Sequence, residues 1–161
     1  MKINKKNNLY DATNSDTGEM YFDGSYLENN KTWHLEDSQW KCEQITKLLS
    51  INSINPKTVC EVGCGAGEIL CQLSLTLKDA EFFGYEISPQ AFELCKSKES
   101  KLIHFEFGNI LEKSVNCDLL LCMDVFEHVQ DYMGFISDIK STATYKVFHI
   151  PLDISALSVI S

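Results

Sequence analysis

One short stretch constrains this chain more than any other: Val59-Cys60-Glu61-Val62-Gly63-Cys64-Gly65-Ala66-Gly67-Glu68. Its first residues read as a buried strand, its glycines as a turn, and the residues beyond Gly67 as a helix. Three glycines at alternate positions let the backbone come very close to a ligand. Glu61 stands two residues before the first of them. A dinucleotide would place its pyrophosphate here, at a helix N-terminus, and the carboxylate would repel it. A ligand carrying cationic groups would be welcomed.

A second strand, Glu81-Phe82-Phe83-Gly84-Tyr85-Glu86-Ile87, also ends in an acid. In nucleoside-binding doubly wound folds an acid at this place accepts hydrogen bonds from both ribose hydroxyls, because each carboxylate oxygen can take a proton. The plainer reading of Glu86 is a solvated charge at a strand end. Ser88-Pro89 then reads as an N-cap with proline at the first helical position. Phe105-Glu106-Phe107-Gly108-Asn109-Ile110 forms a third strand end, and Cys117 to Met123 a fourth strand running into Asp124-Val125-Phe126-Glu127-His128-Val129.

The strand, acid and glycine turn resemble motif I of the class I S-adenosylmethionine (SAM)-dependent methyltransferases. The Asp124–Val129 string resembles the small-molecule branch of that family, which includes ubiquinone-type O-methyltransferases. The resemblance covers about residues 33–155, with its four motifs in order. It implies an α/β fold with a doubly wound, mostly parallel sheet, Rossmann-like, behind an N-terminal helical cap. It implies SAM as cofactor, a small-molecule methyl acceptor, and O-methylation rather than N-methylation, in a setting such as bacterial surface-sugar or secondary-metabolite synthesis. The cofactor residues carried over are Glu61, Gly63, Cys64, Gly65, Gly67, Glu86, Ile87, Asn109, Ile110, Asp124 and Val125, with Asn109 at the adenine. Two alternatives stand beside this reading. One is a SAM-binding module without catalysis, completed by a partner. The other is a nicotinamide oxidoreductase, which Glu61 and the Gly-x-Gly-x-Gly spacing oppose.

Methyl transfer is an in-line displacement, so the protein mainly positions acceptor, methyl carbon and sulfur. An oxygen acceptor also needs a base. His128, one turn past strand four and near Asp124 and Glu127 in sequence, is the first candidate. A helix-start histidine that only packs or caps is the alternative. His149, at the end of strand five, is expected to be structural or part of the substrate wall. Glu127 and His128 make two ligands, too few for a metal site. The seven cysteines fit no zinc spacing and read as buried apolar thiols. Tyr26, Trp33 and Trp40 are expected in the core before a role over the cofactor.

With 161 residues, one domain is the prior. A hydrophobic content of 44% allows a full core. The net charge of −9, with no basic stripe, argues against a nucleic-acid partner. No run approaches the roughly 18 apolar residues of a membrane span, and the start has no signal-like apolar region; a cytoplasmic protein is expected. Residues 1–20 read as a polar mobile arm, 21–55 as an aromatic segment with a cap helix from Glu36 through Leu49, and 56–161 as the SAM-binding domain. The cap helix carries a rough stripe of Trp40, Ile45, Leu48 and Leu49. Helices are expected near 67–77, 89–98 and 129–142, with later strands near 101–107, 118–123 and 145–150. The resembled fold has seven strands, ordered 3-2-1-4-5-7-6. Only eleven residues follow Ile150, so strands six and seven are expected to be missing. A fragment, a truncated product and a partner-completed subunit are the three explanations. An uncovered strand-five edge would favour self-association.

Overall fold

The computed structural model describes residues 35–151. The chain opens with helix α1 (Leu35–Ile51) and then alternates strand and helix: β1 (Thr58–Val62), α2 (Glu68–Thr76), β2 (Glu81–Glu86), α3 (Pro89–Lys96), β3 (Ile103–Phe107), β4 (Cys117–Met123), α4 (Tyr132–Asp138) and β5 (Ala143–His149). The five strands form one parallel sheet in the order β3-β2-β1-β4-β5. The direction of winding reverses between β1 and β4, which opens a crevice above their carboxyl ends.

Alternation along the strands divides the core between two faces. Val59, Phe82, Leu119, Leu121 and Met123 point to the face covered by α1, α2 and α3, where they meet Cys42, Ile45, Leu49, Leu70, Leu73 and Cys95. Cys60, Val62, Tyr85, Leu120 and Cys122 point to the other face and meet Phe135 and Ile139. Central strands covered on both sides are apolar throughout, as parallel sheets require. Glu61 is therefore an exception that needs a reason. All seven cysteines are free thiols, six of them buried.

The elements follow the expected order, with local differences. Helix α1 buries Ser38, Lys41, Cys42, Ile45 and Leu49, spaced as one helical face. Trp40 and Leu48, expected in that stripe, lie on the outer side and are exposed. The helix expected over 129–142 is shorter. Asp131 caps it by accepting the Gly134 N–H at 2.8 Å, so α4 begins at Tyr132 and passes into a 3₁₀ turn at Ile139–Ser141. Strand β5 starts at Ala143, two residues before its expected position. At the amino end of the sheet Asp118 ties β4 to β1, accepting the N–H groups of Lys57 at 2.7 Å and Thr58 at 3.0 Å.

Candidate active site at the carboxyl edge

The turn after β1 is left-handed at each glycine: φ is +59° at Gly63, +54° at Gly65 and +75° at Gly67. Only glycine holds three such positions without strain. The turn closes when the Gly67 N–H donates to the Cys64 carbonyl at 2.8 Å. Packing is equally restrictive. A Cβ on Gly63 would lie 2.7 Å from the Val125 side chain, and one on Gly67 2.5 Å from the Phe105 ring. Cys64 points inward, with its Sγ 2.7 Å from where a Cβ on Gly84 would stand. It therefore supports the turn from below.

Glu86 ends β2 beside this turn. Its Oε2 accepts the Gly65 N–H at 2.7 Å and its Oε1 accepts the Ser88 N–H at 2.7 Å. The residue is 4% exposed, so it is no solvated surface charge. Burial raises its pKa, against the backbone N–H groups that lower it. A carboxylate has about four acceptor positions. The Gly65 and Ser88 N–H groups use two of them and the Ile87 N–H also bears on the carboxylate, so what capacity is left is open to a ligand hydroxyl.

Glu61 lies under the turn, 1% exposed, and its Oε2 has no hydrogen-bond partner. Burial pushes its pKa well above the usual range; the Glu86 charge adds to this, Lys41 opposes it, and Asp124 adds again. A buried carboxylate without a full set of partners is costly. A cationic hydrogen-bond donor above the glycine turn would relieve it.

Asp124, just past β4, is a non-glycine residue at φ +56°. Its N–H donates to the His149 carbonyl at 3.1 Å, and its Oδ1 meets His149 Nδ1 at 2.5 Å. Its other oxygen holds the ammonium of Lys41, which reaches in from α1 with a side chain 4% exposed. Burial would raise the Asp124 pKa, but hydrogen bonds from Lys41 and His149 outweigh it and hold the group below its ordinary value. Trp40, next to Lys41, sets its ring edge-on to His149, centroids 5.9 Å apart.

The remaining expected residues lie around this centre. Ile87 and Val125 are half-buried, the latter against Gly63. Asn109 spends its Oδ1 on the Leu111 N–H at 3.0 Å, capping a 3₁₀ turn, which leaves its NH₂ as the available group. Ile110 is buried in the core face with Tyr85. His128 sits half-buried in a 3₁₀ turn, Phe126–His128. The Asp124 carboxylate, near His128 in sequence, is held by Lys41 and His149. Lys41 was not singled out by sequence. Its only signal was a lysine falling in phase with Ser38, Cys42, Ile45 and Leu49. Tyr26 and Trp33 lie outside the described residues. Among the described residues no three His, Cys, Asp or Glu side chains group to hold a metal ion, and no helix is long and apolar enough to cross a membrane.

Residues 55–155 match the family described as "Methyltransferase domain". Among solved structures, the chain is similar to the magnesium protoporphyrin IX methyltransferase of Synechocystis PCC 6803 with bound SAH. The TM-score is 0.63 and the identity 20%, covering 76% of this chain and 59% of that one. It is also similar to the plantazolicin methyltransferase BpumL in complex with a triazolic desmethylPZN analog and SAH, with a TM-score of 0.62 and 15% identity, covering 84% of this chain and 52% of that one. The chain thus spans between half and three-fifths of the length of these relatives. No curated protein matches it in sequence.

Proposed function

Since the chain belongs to the methyltransferase-domain family, we propose that it binds SAM at the carboxyl edge of its sheet and serves methyl transfer to the oxygen of a small-molecule acceptor. One observation carries this reading: the carboxylate of Glu86 is buried against the glycine turn at the end of β2, beside a buried Glu61 whose Oε2 lacks a partner. The first arrangement suits a ribose diol. The second suits the ammonium of an amino-acid moiety and disfavours a pyrophosphate. When bound, SAM supplies an electrophilic methyl on a sulfonium. The chain's own residues do the rest. Gly63, Gly65 and Gly67 admit the ligand to backbone contact, Glu86 orients its nucleoside, Glu61 holds its cationic end, and Asn109, with its Oδ1 taken by the Leu111 N–H, offers its NH₂ to the base. Both solved relatives carry SAH, which supports the same cofactor. Calorimetry with SAM, SAH and NAD tests the reading. SAM and SAH should bind with a stoichiometry of one and NAD should not. Binding of NAD alone would overturn it.

A further inference from the structure

We propose that Glu61 holds a proton in the ligand-free protein and gives it up when the cofactor's ammonium arrives, so that the site selects nucleosides bearing an amino-acid tail by exchanging a proton for a cation. This rests on the SAM reading above. Glu61 is 1% exposed, and its Oε2 has no hydrogen-bond partner. Alternation along β1 turns it to the same face as Val59, under α1, α2 and α3. Two more carboxylates bear on it, Glu86 from the end of β2 and Asp124 from just past β4, together with the ammonium of Lys41 from α1. That ammonium is bonded to Asp124, which also meets His149. Glu86 takes the N–H groups of Gly65 and Ser88. Of the three acids, Glu61 is therefore the one with an oxygen left unanswered. Further ionisable groups that bear on it are thiols: Cys42 on α1, Cys71 on α2, Cys95 on α3, Cys122 on β4 and Cys64 in the turn. A thiol brings no positive charge. A buried carboxylate without a counter-charge takes up a proton instead of staying ionised. Burial first, and the Glu86 charge second, push Glu61 in that direction.

An ammonium at Oε2 reverses the balance. The carboxyl O–H bond breaks with its electron pair left on oxygen, and the proton goes to solvent. The carboxylate then accepts an N–H of the ammonium, which keeps its own charge. One positive charge replaces another, so no net charge is added to the buried acid and its partner. A nucleoside without the tail offers Glu61 nothing, and the proton stays. Mass action then separates the two ligand classes by pH. A proton released on binding raises affinity by at most about tenfold per pH unit, until the ligand-free protein itself loses that proton. Affinity for SAM and SAH should rise across about pH 5.5–7.0, below the α-amino range of about 7.7–8.0 in which the tail loses its charge. Affinity for a tailless nucleoside should stay level. Selection for the tail is therefore weak in acid and strong near neutrality.

The test uses the full 161-residue chain with SAH and 5′-methylthioadenosine. The two ligands share the nucleoside and the thioether, and only SAH carries the amino-acid tail. Calorimetry at about pH 6.5, inside that window, in buffers of different ionisation enthalpy counts the protons exchanged. We expect about one proton released with SAH and none with 5′-methylthioadenosine. The ratio of the two affinities should grow by about five- to tenfold per pH unit. Glu61→Gln keeps the size of the side chain and cannot ionise. It should bind SAH more weakly, with no proton release and a level ratio. The two-ligand comparison on the parent chain needs no variant, which covers a Glu61→Gln protein that fails to fold. SAH binding without net proton release, or equal release with both ligands, overturns the exchange. Release that persists in a folded Glu61→Gln protein overturns the role of Glu61. Failure of the parent chain to bind SAH sinks the cofactor reading instead, so the two failures are told apart.

Discussion

Glu86 and Glu61 show how one residue type takes two roles through its surroundings. Glu86 has backbone donors on both oxygens and Glu61 has an oxygen with none. Glu86→Ala should weaken SAM and SAH alike, by roughly 2–4 kcal/mol, from two charge-assisted hydrogen bonds of ~1.5–3 kcal/mol each that do not fully add. The ribose is the same in both ligands, so calorimetry that finds one affected and the other spared would remove Glu86 from the ribose. Glu61 leads to a pH prediction. Its folded pKa is raised well above the usual carboxylate range. Above about pH 4.3, the ordinary glutamate value, the native state retains a proton that the unfolded chain has lost. Stability therefore falls as pH rises, up to the folded pKa, and is flat beyond it. Asp124 acts in the opposite sense: its depressed pKa gives stability above the ordinary range that is lost as pH falls through the folded value. Glu61→Gln should remove the first slope, stabilise the ligand-free protein at neutral pH, and weaken SAM. Urea unfolding across pH 4–8, a window set by the ordinary glutamate value and neutrality, would show it as a flatter profile. An unchanged slope would mean that another group carries it.

Helix α1 is the element that joins packing to chemistry. Its buried face carries Cys42, Ile45 and Leu49 into the core and delivers Lys41 to Asp124. The candidate cofactor residues lie at the strand ends and the turns after them, so this ion pair is a direct polar tie from α1 to that edge, beside the contact of Trp40 with His149. Removing one partner from a fully buried pair costs about 3–5 kcal/mol. Asp124 stays partly in water and keeps His149, so Lys41→Met should cost less, on the order of 2 kcal/mol. Hydrogen exchange should then quicken along Leu35–Ile51 more than in β1 or β4. Equal change in all three would make Lys41 a global stabiliser and not a tether.

On the scale of the whole molecule, the parallel sheet places every candidate ligand at one edge, because parallel strands end on the same side. It also leaves β5 at the border of the described sheet, with Tyr145, Phe148 and Ile150 exposed. An unpaired strand edge beside exposed apolar side chains favours association. The 161-residue chain should show concentration-dependent association in sedimentation, reduced by Tyr145→Lys. A strictly monomeric chain at every concentration would mean that this edge is protected.

What could be read from the sequence and what could not divide along a physical line. Strand β1, the glycine turn, the Ser88-Pro89 helix start and the terminal acid of β2 are local signals. Each rests on backbone conformations or side-chain patterns spanning a few residues, so spacing alone placed them, and the parallel sheet followed from the alternation of strand and helix, whereas the strand order came only with the family resemblance. The shorter α4 escaped because a single capping contact, Asp131 to Gly134, overrode the periodic pattern. Trp40 misled because an aromatic in a rough stripe looks like core, and its true phase emerges only when Ile45 and Leu49 meet the sheet. The cluster of Lys41, Asp124 and His149 could not be read at all. Its members lie 83 and 25 positions apart in the chain, and nothing local marks a lysine as buried or a histidine as bound to a distant acid. The sequence by itself determined the order of elements and the turn that admits a ligand. The tertiary structure alone decided which charged groups share that edge, because ion pairing depends on distance in space, and only the packed sheet and α1 bring those residues within a few ångströms.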